Sequence, residues 1–467
     1  MVASKSAGFV TKPTVEILSK SEIEITVGAS RGSFYQQTPT AELQSNDSYF
    51  AACRTLKSAK DLCSGFKNAQ PISLDVTKAD ELDAEVTKVD VVISLIPYTF
   101  HPMVIRSAIR KKKNVVTTSY ISPAILELED EVKKAGITVM NEIGLDPGID
   151  HLYAVKTISE VHAAGGKILS FLSYCGGLPS PESSNNPLGY KFSWSSRGVL
   201  LALRNSARFI KDGKVEEIAG KDLMASAKPY PIYPGFNFVA YGNRDSTPFK
   251  KFYEIEEVQN LIRGTLRYAC FPEMVRVIND IGFFSEDERD FLKSPIAWRE
   301  ATQKILNATS GSEKDLSWAI SSKTKFENTE EKTRILAGLR WIGLFSDDKI
   351  TPKGNPLDTL CATLEQKMQY EEGERDMVML QHKFEIEHKD GAKETRTSTL
   401  CEFGDPKGYS AMSKLVGVPC AVAVKQVLAG KISEVGVLAP YKMSIVEPLI
   451  KELKEEYGIE CKEQTVA

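Results

Sequence analysis

The run "ACRTL" places Arg54 and Thr55 directly after a short apolar segment. In a dinucleotide-binding fold, an acidic residue at the end of the second strand binds the 2′-hydroxyl of NAD, whereas an arginine there accommodates the 2′-phosphate of NADP. Arg54 therefore indicates a site for NADP(H). A solvated arginine at a strand end explains the same residue equally well, so the motif alone leaves both interpretations open.

Polar side chains also follow two other apolar runs, "DVVISLI" and "NVVTTS". Beyond the first, we expect Ile96 along the nicotinamide side of a bound cofactor, and His101 is either a general acid or base or a structural partner near a helix start. Beyond the second, Thr118, Ser119 and Tyr120 suit a carboxamide, a substrate carboxylate or an ordinary turn. Ligands of open α/β sheets lie beyond the carboxyl ends of strands, which favours one shared site.

Two aspartates follow strand-like segments and have two possible roles each. In "SLDVTKADEL", Asp75 either touches an adenine edge or caps the next helix. In "NEIGLDPGIDHLYA", Gly144 permits a tight turn, and Asp146-Pro147 precedes a helix whose first N–H groups suit an anion. Asp146 could bind a substrate ammonium or cap that helix.

Regular alternation of strand and helix patterns must position these residues. An unbroken apolar run such as "DVVISLI" is typical of a strand buried on both faces of a parallel sheet. Alternation at this spacing predicts βαβ units and a doubly wound, Rossmann-type parallel sheet in an α/β fold. The predicted strands are 72–76, 90–96, 114–119 and 137–142, and the predicted helices are 78–89, 101–113 and 122–136.

The N-terminal segment departs from this rhythm. "SKSAGFVTKP" has one glycine, Gly8, where a phosphate-binding turn usually has three, and almost no strand precedes it. Residues 28–51 have no clear period, and a structureless loop of that length inside a βα unit is uncommon. We therefore predict one strand, "ITV…ACR", that this segment interrupts as an atypical insertion.

The second part of the chain has a mixed character. A long helix over 148–166 and a strand over 167–177 precede a region rich in aromatic residues, glycine and proline. There Arg244, Thr265 and Arg267 are candidate partners for carboxylates, although each arginine alone fits a surface position. We predict an NADP-binding domain over 1–147, which about 405–467 completes, and a larger α/β (α+β) substrate and dimerisation domain over 148–404. The larger domain contains a helical segment over about 273–370 and a hairpin over 377–403. A buried helix is predicted over 409–432.

Composition excludes several classes of function. The 467 residues carry a net charge of −3 and are 42% hydrophobic, which gives no electrostatic case for nucleic acid or an anionic membrane surface. The apolar runs are too short for a membrane span, and the N-terminus lacks a secretion signal, so we expect a cytoplasmic protein. Eight cysteines without CxxC spacing indicate reduced thiols, and the five histidines show no metal-ligand pattern.

Several long runs resemble one known family. "VVISLIPYTFHP", "VVTTSYISPA", "GITVMNEIGLDPGIDHLYAVKTI" and "TPKGNPLDTLCA" look like fungal saccharopine reductases, the glutamate-forming saccharopine dehydrogenases of the α-aminoadipate route to lysine. The likeness extends from about residue 52 to the C-terminus. It implies a Rossmann domain for NADP(H), a homodimer formed by the larger domain, and a reaction in which glutamate condenses with 2-aminoadipate 6-semialdehyde and NADPH reduces the imine to saccharopine.

The resemblance also implies the residues of the site. Tyr120 and Asp146 are its candidate catalytic residues. Its implied contacts with NADP(H) fall on Ala7, Gly8, Phe9, Val10, Cys53, Arg54, Thr55, Asp75, Val76, Ile96, Thr118, Ser119, Leu145, Asp146, Pro147 and Ser195. Its implied contacts with saccharopine fall on Ser119, Tyr120, Asp146, Arg244, Thr265, Leu266 and Arg267.

The N-terminal departures leave two alternatives. The family pattern opens with an apolar strand and a Gly-Ser-Gly turn, whereas here the first glycine is missing and Ala7 stands between the two glycine positions. One alternative is a folded chain that cannot hold the cofactor because this loop is broken. The other is a related reductase that acts on another amino-acid imine.

Overall fold

The computed structural model describes residues 8–19, 25–28, 49–66, 69–193 and 196–467. The chain divides into two compact units. The first unit comprises Met1–Leu169, Lys250–Glu257 and His382–Ala467, and the second comprises Ser170–Phe249 and Val258–Gln381.

The strands of the described residues are β1 (Ile25–Gly28), β2 (Tyr49–Cys53), β3 (Ala69–Ser73), β4 (Val91–Ser94), β5 (Asn114–Thr117), β6 (Thr138–Met140), β7 (Lys167–Pro179), β8 (Ala207–Lys211), β9 (Lys214–Ile218), β10 (Lys228–Pro229), β11 (Phe238–Gly242), β12 (Asn260–Tyr268), β13 (Asp376–Glu387), β14 (Lys393–Phe403), β15 (Gly436–Leu438) and β16 (Lys462–Thr465). The helices are α1 (Gly8–Ser19), α2 (Leu56–Cys63), α3 (Ala79–Thr87), α4 (His101–Lys111), α5 (Pro123–Leu126), α6 (Glu129–Ala135), α7 (Ile149–Ala163), α8 (Ser196–Ala202), α9 (Phe249–Phe252), α10 (Phe271–Asp280), α11 (Trp298–Leu306), α12 (Glu313–Lys323), α13 (Thr329–Ile342), α14 (Pro356–Lys367), α15 (Ala411–Leu428) and α16 (Met443–Tyr457).

A parallel sheet forms the centre of the first unit. Its strands lie in the order β15-β6-β5-β4-β1-β2-β3, and every neighbouring pair is parallel. Every residue of β4 is buried, as expected for a strand covered on both faces. Strand β6 pairs with β15, so the C-terminal segment completes the sheet. The predicted Rossmann-type α/β fold is confirmed.

The strand β1 corrects the prediction for the N-terminal region. Ile25–Gly28 is not the first half of a split strand, because it pairs in parallel with β2, with Ile25 opposite Tyr49. On its other side it pairs with β4, with Thr26 opposite Val92. Without this strand, backbone groups of both neighbours would be buried and unpaired. Gly28 and residues 49–51 of the predicted insertion therefore belong to strands, and the rest of that insertion lies outside the described residues.

The helix α1 packs against α15. Thr14 Oγ1 donates a hydrogen bond of 2.9 Å to the carbonyl of Gly417, and Val15 is fully buried. In the described part of the chain, α15 alone is long and apolar enough to cross a membrane, and 72% of it is buried inside the protein. The buried core helix of a soluble protein passes the same test, so this result is weak evidence that α15 crosses a membrane.

The second unit contains a mixed sheet and a helical segment. Strand β11 lies between β10 and β12 in antiparallel pairing, and β12 pairs in parallel with β7 from Ser170 onward. A Cβ at Gly264 would lie 2.4 Å from the ring of Tyr174, so β12 requires glycine there. Helices α10 to α14 occupy the segment predicted as mostly helical.

Three local predictions have different outcomes. The predicted helix over 122–136 consists of two helices, α5 and α6, separated at residues 127–128. The predicted hairpin is formed by β13 and β14. The compact units divide at residues 169 and 381, among other points, and the predicted domain limits at 147 and 404 stay a prediction. Helix α7 packs on α16, and strand β14 pairs with β16. These contacts place α7 and β14 in the first unit.

Candidate active site

The carboxyl ends of parallel strands bring most predicted residues of the first unit to one edge of its sheet. Each group follows a different strand. The residues are Arg54 and Thr55 after β2, Asp75 and Val76 after β3, Ile96 after β4, Thr118, Ser119 and Tyr120 after β5, and Leu145, Asp146 and Pro147 beyond β6.

The end of β2 presents an exposed cation. Cys53 is buried, whereas Arg54 is exposed and its carbonyl accepts a hydrogen bond of 3.1 Å from Ser73 Oγ. Thr55 is the N-cap of α2, where its hydroxyl accepts from the Ser58 N–H at 3.3 Å. The backbone of Arg54 is thus fixed while its guanidinium faces solvent, which suits an anionic group at this strand end.

The carboxylate of Asp75 closes the turn before α3. Its Oδ1 accepts from the N–H and the hydroxyl of Thr77, at 3.0 and 2.7 Å. These hydrogen bonds from Thr77, followed by weaker contributions that include the charges of Lys78 and Arg54, lower the pKa of Asp75. Asp75 therefore closes this turn and does not cap α3 as predicted, because Lys78 is the N-cap residue of that helix.

His101 is a buried support rather than a solvent-accessible acid or base. Only 1% of it is exposed, and its Nδ1 lies 2.8 Å from Ser94 Oγ. Its Nε2 lies 2.9 Å from Ser119 Oγ and 3.2 Å from Thr117 Oγ1. Burial lowers the pKa of His101 to about 4. A neutral imidazole therefore holds the Ser119 hydroxyl at the end of β5, and the structural interpretation of His101 is the one that the geometry favours.

Tyr120 and Asp146 form a direct pair. The Tyr120 hydroxyl donates a hydrogen bond of 2.7 Å to Asp146 Oδ1, and both residues are half-buried. Asp146 lies in a tight turn in which the Gly144 N–H donates to the Pro147 carbonyl at 2.9 Å. A Cβ at Gly148 would lie 2.0 Å from the Gly144 carbonyl oxygen, so this closure requires glycine.

Asp146 does not cap the helix that follows it. Gly148 is the N-cap position of α7, and its N–H donates to Asp150 Oδ1 at 2.7 Å. Asp150 thus satisfies the N–H of the N-cap residue, and the Asp146 carboxylate pairs with Tyr120. A carboxylate paired with a phenol at a strand end can orient an amine and hold or pass a proton.

Glu142 is a buried carboxylate that sequence reasoning missed. It is 3% exposed and has a positive φ of 61°. Its Oε1 accepts from the Ile121 N–H at 2.9 Å, and its Oε2 accepts from the Tyr441 hydroxyl at 2.6 Å. The only available signal was an acidic residue, in "ITVMNEIGL", directly after an apolar strand.

The substrate candidates of the second unit lie on and beside β12. Arg267 is 7% exposed, and its guanidinium carbon lies 4.9 Å from the Tyr190 ring centre and 5.3 Å from that of Phe271. Its Nη1 donates to the Leu266 carbonyl at 2.7 Å, whereas its Nε has no hydrogen-bond partner among the described residues. A buried donor without a partner is uncommon and fits an anionic ligand.

The other candidates differ in exposure. Thr265 is half-buried, Leu266 is fully buried, and Arg244 is exposed with a positive φ of 55°. Leu266 alternates with Thr265 and Arg267 along the strand and therefore faces the opposite side of the sheet. Arg244 is held by its backbone, since its carbonyl accepts from the Arg208 N–H at 2.8 Å.

Five of the predicted positions give less information. Ala7 and Ser195 lie outside the described residues. Gly8, Phe9 and Val10 form the first turn of α1. No group of three or more His, Cys, Asp or Glu side chains in the described ranges could hold a metal ion, and all eight cysteines are free thiols.

Two family models match almost the whole chain. The saccharopine dehydrogenase NADP binding domain matches residues 7–140, and the saccharopine dehydrogenase C-terminal domain matches residues 144–459. The chain belongs to the saccharopine dehydrogenase family. The match of the first model begins at Ala7, so it includes the predicted phosphate turn.

Whole-length relatives agree with the saccharopine dehydrogenase assignment. The chain is 66% identical, over 99% of its length and 98% of the relative, to a Pyricularia oryzae protein named saccharopine dehydrogenase (NADP(+), L-glutamate-forming). It is 57% identical to a Saccharomyces cerevisiae protein of the same name, over 99% of this chain and 98% of that one. A solved apo saccharopine dehydrogenase (L-Glu forming) from S. cerevisiae is 56% identical, with a TM-score of 0.89 over 100% of this chain and 99% of that chain.

Proposed function

We propose that this chain catalyses the NADPH-dependent reductive condensation of L-glutamate with L-2-aminoadipate 6-semialdehyde to L-saccharopine, and the reverse reaction, in lysine biosynthesis through the aminoadipate route. It is thus an NADP-dependent oxidoreductase that acts on a CH–NH bond. The observation that carries this proposal is the 66% identity, over 99% of the chain, to a relative named for the glutamate-forming reaction.

The residues at the sheet edge fit NADP(H). Arg54 offers an exposed cation for the 2′-phosphate of the cofactor. Ile96 offers an apolar contact for its nicotinamide ring, and the hydroxyl groups of Thr118 and Ser119 can bind its carboxamide. The proposed contacts also include Gly8, Phe9 and Val10 at the start of α1, Cys53, Thr55, Asp75, Val76, Leu145 to Pro147, and the positions of Ala7 and Ser195. When bound, the cofactor supplies a hydride to the imine carbon.

The proposed substrate contacts match the charges of saccharopine. Its carboxylates call for cations, and in the second unit the Nε of the buried Arg267 has no hydrogen-bond partner among the described residues. Arg244, Thr265 and Leu266 are the further proposed contacts there. In the first unit, Ser119 and Tyr120 offer hydroxyl groups, and Asp146 offers a carboxylate for an ammonium group.

Tyr120 and Asp146 are the proposed groups for proton handling. Condensation of the glutamate amine with the aldehyde releases water, and reduction of the imine needs a proton on nitrogen in addition to the hydride on carbon. The hydrogen bond from the Tyr120 hydroxyl to Asp146 provides a proton and an acceptor next to each other. Orientation of the amine by Asp146 would place the reacting atoms close together.

A fluorescence titration with NADPH and a turnover assay test the proposal and its alternatives. The purified chain is expected to bind NADPH at micromolar concentration and to oxidise it when both glutamate and aminoadipate semialdehyde are present. No binding at millimolar NADPH would support the cofactor-deficient alternative. Faster turnover with a different aldehyde, with glutamate present, would support the alternative of a related reductase.

A homodimer and a cytoplasmic location are part of the proposal. The resemblance to the family, which implies a dimer formed by the larger domain, supports the former, and the eight free cysteines, typical of a reducing compartment, support the latter. Light scattering on the purified chain would test the dimer, and fractionation of cells that express a tagged chain would test the location.

A further inference from the structure

Two hydrogen bonds of Glu142 lie on either side of Tyr120. The Glu142 N–H donates to the Ser119 carbonyl at 3.2 Å. The Glu142 Oε1 accepts from the Ile121 N–H at 2.9 Å. One residue therefore holds the backbone immediately before and immediately after Tyr120.

Glu142 is itself fixed by long-range contacts. Its second carboxylate oxygen accepts from the Tyr441 hydroxyl at 2.6 Å and lies 2.9 Å from His151 Nε2. His151 Nδ1 in turn lies 2.6 Å from the Tyr253 hydroxyl. Burial raises the pKa of Glu142, but His151, the Ile121 N–H and Tyr441 outweigh it, so the pKa lies below its usual value and the carboxylate is charged at neutral pH.

A charged carboxylate at this depth is costly unless it is paired and hydrogen-bonded. A side chain that only filled the core would be apolar, and it would need no left-handed backbone. Here the positive φ of 61° turns the carboxylate of Glu142 back towards the strand end of β5, where the Ile121 N–H lies. The buried charge and the left-handed backbone lower stability, and in return they fix the geometry of the loop that carries Tyr120.

We propose that Glu142 is a positioning residue for the Tyr120–Asp146 pair: it fixes the segment Ser119–Ile121 so that the Tyr120 hydroxyl meets Asp146. The inference rests on the proposed role of that pair in the reaction. Glu142 is 3% exposed, and in this proposal it acts through Tyr120.

A double-mutant cycle separates this role from a structural one. Glu142→Ala should lower kcat about 10–100-fold with an unchanged dissociation constant for NADPH, because misplacement of a catalytic group costs about this much. Glu142→Gln should stay within about threefold of the parent, because its amide oxygen still accepts from Ile121. In a Tyr120→Phe background, Glu142→Ala should lower kcat further by less than about twofold. An equal loss in both backgrounds, or no loss, would overturn the proposal.

Glu331→Ala is the matched control. Glu331 is also a buried glutamate, and it pairs with Arg276 in the second unit at 2.9 Å. Its loss should lower the melting temperature and change kcat by the same small factor in both backgrounds. Should Glu142→Ala be insoluble, Tyr441→Phe takes its place, with an expected three- to tenfold loss of kcat that disappears in the Tyr120→Phe background.

A crystal structure gives a readout that does not need turnover. In Glu142→Ala, or in Tyr441→Phe if that variant is used, the Tyr120 hydroxyl should move beyond about 3.5 Å from Asp146 Oδ1. An unchanged hydrogen bond would reject the inference even if the chain turned over no substrate. Absence of turnover by the parent chain, with Tyr120 displaced in the variant, would reject the proposed function and leave the positioning role supported.

Discussion

The hydroxyl of Tyr120 donates a hydrogen bond of 2.7 Å to Asp146 Oδ1, and the two residues follow neighbouring strands of one parallel sheet. Tyr120→Phe removes this proton and keeps the ring. We expect kcat to fall about 100-fold, the lower part of the range for a general acid or base, with unchanged NADPH binding. Steady-state kinetics and a fluorescence titration measure both. Tyr233→Phe, at an exposed tyrosine, should leave kcat unchanged, and equal effects of the two changes would contradict the assignment.

Arg54 should determine the choice between NADPH and NADH. Arg54→Glu replaces an exposed cation at the end of β2 by an acid, which repels a 2′-phosphate and suits a 2′-hydroxyl. We expect kcat/KM for NADPH to fall about 10–100-fold while that for NADH stays level or rises. Lys57→Glu makes the same charge change at a nearby exposed position and should leave the ratio of the two values within about threefold.

Arg267 should contribute to substrate affinity and not to cofactor affinity. Arg267→Gln removes a buried guanidinium whose Nε has no partner among the described residues. The KM for saccharopine should rise at least about tenfold, because a charge-assisted hydrogen bond contributes about 1.5–3 kcal/mol. NADPH titration should be unaffected. Arg299→Gln, at an exposed ion pair, provides the comparison, and a matching rise in KM there would remove the special role of Arg267.

His101 should make stability depend on pH. Its pKa is about 4 in the folded chain against an ordinary 6.5, so the unfolded chain takes up the proton first as the pH falls. The stabilisation is present above pH 6.5 and is lost between about 6.5 and 4, with a total of about 3 kcal/mol. Urea unfolding at several pH values should show a steeper loss for the parent than for His101→Asn. Parallel curves would contradict burial of a neutral His101.

The strand β1 should tolerate no proline. Thr26 pairs with neighbours on both sides, β2 and β4, so Thr26→Pro removes an N–H from the interior of the sheet. The free energy of unfolding should fall by about 1–3 kcal/mol, as when a buried hydrogen-bonding group loses its partner. Thr26→Val keeps the N–H and should be close to neutral in the same urea experiment. If proline were as harmless as valine, β1 would not be an interior strand.

Local patterns were sufficient for the regular part of the first unit. The apolar run that became β4 and the cations at the end of α4 are signals within a few residues, and so is Arg54 after β2. The assignment of Ile25–Gly28 to one half of a split strand was wrong. The place of a strand in a sheet depends on its partner strands, and a short stretch of sequence does not contain this information. Glu142 was missed for a similar reason, since its positive φ and its contact with Tyr441 leave no trace in neighbouring residues.

The contact between Glu142 and Tyr441 spans 299 residues of the chain. A ribosome that adds about 5–20 residues per second needs about 15–60 s to synthesise that interval. Throughout this time β6 lacks its neighbour β15, and an open edge of this kind can pair with other chains. The loop that carries Tyr120 therefore gains its final support only in the last stage of translation, and a nascent chain that stops before Tyr441 should emerge without an ordered catalytic loop.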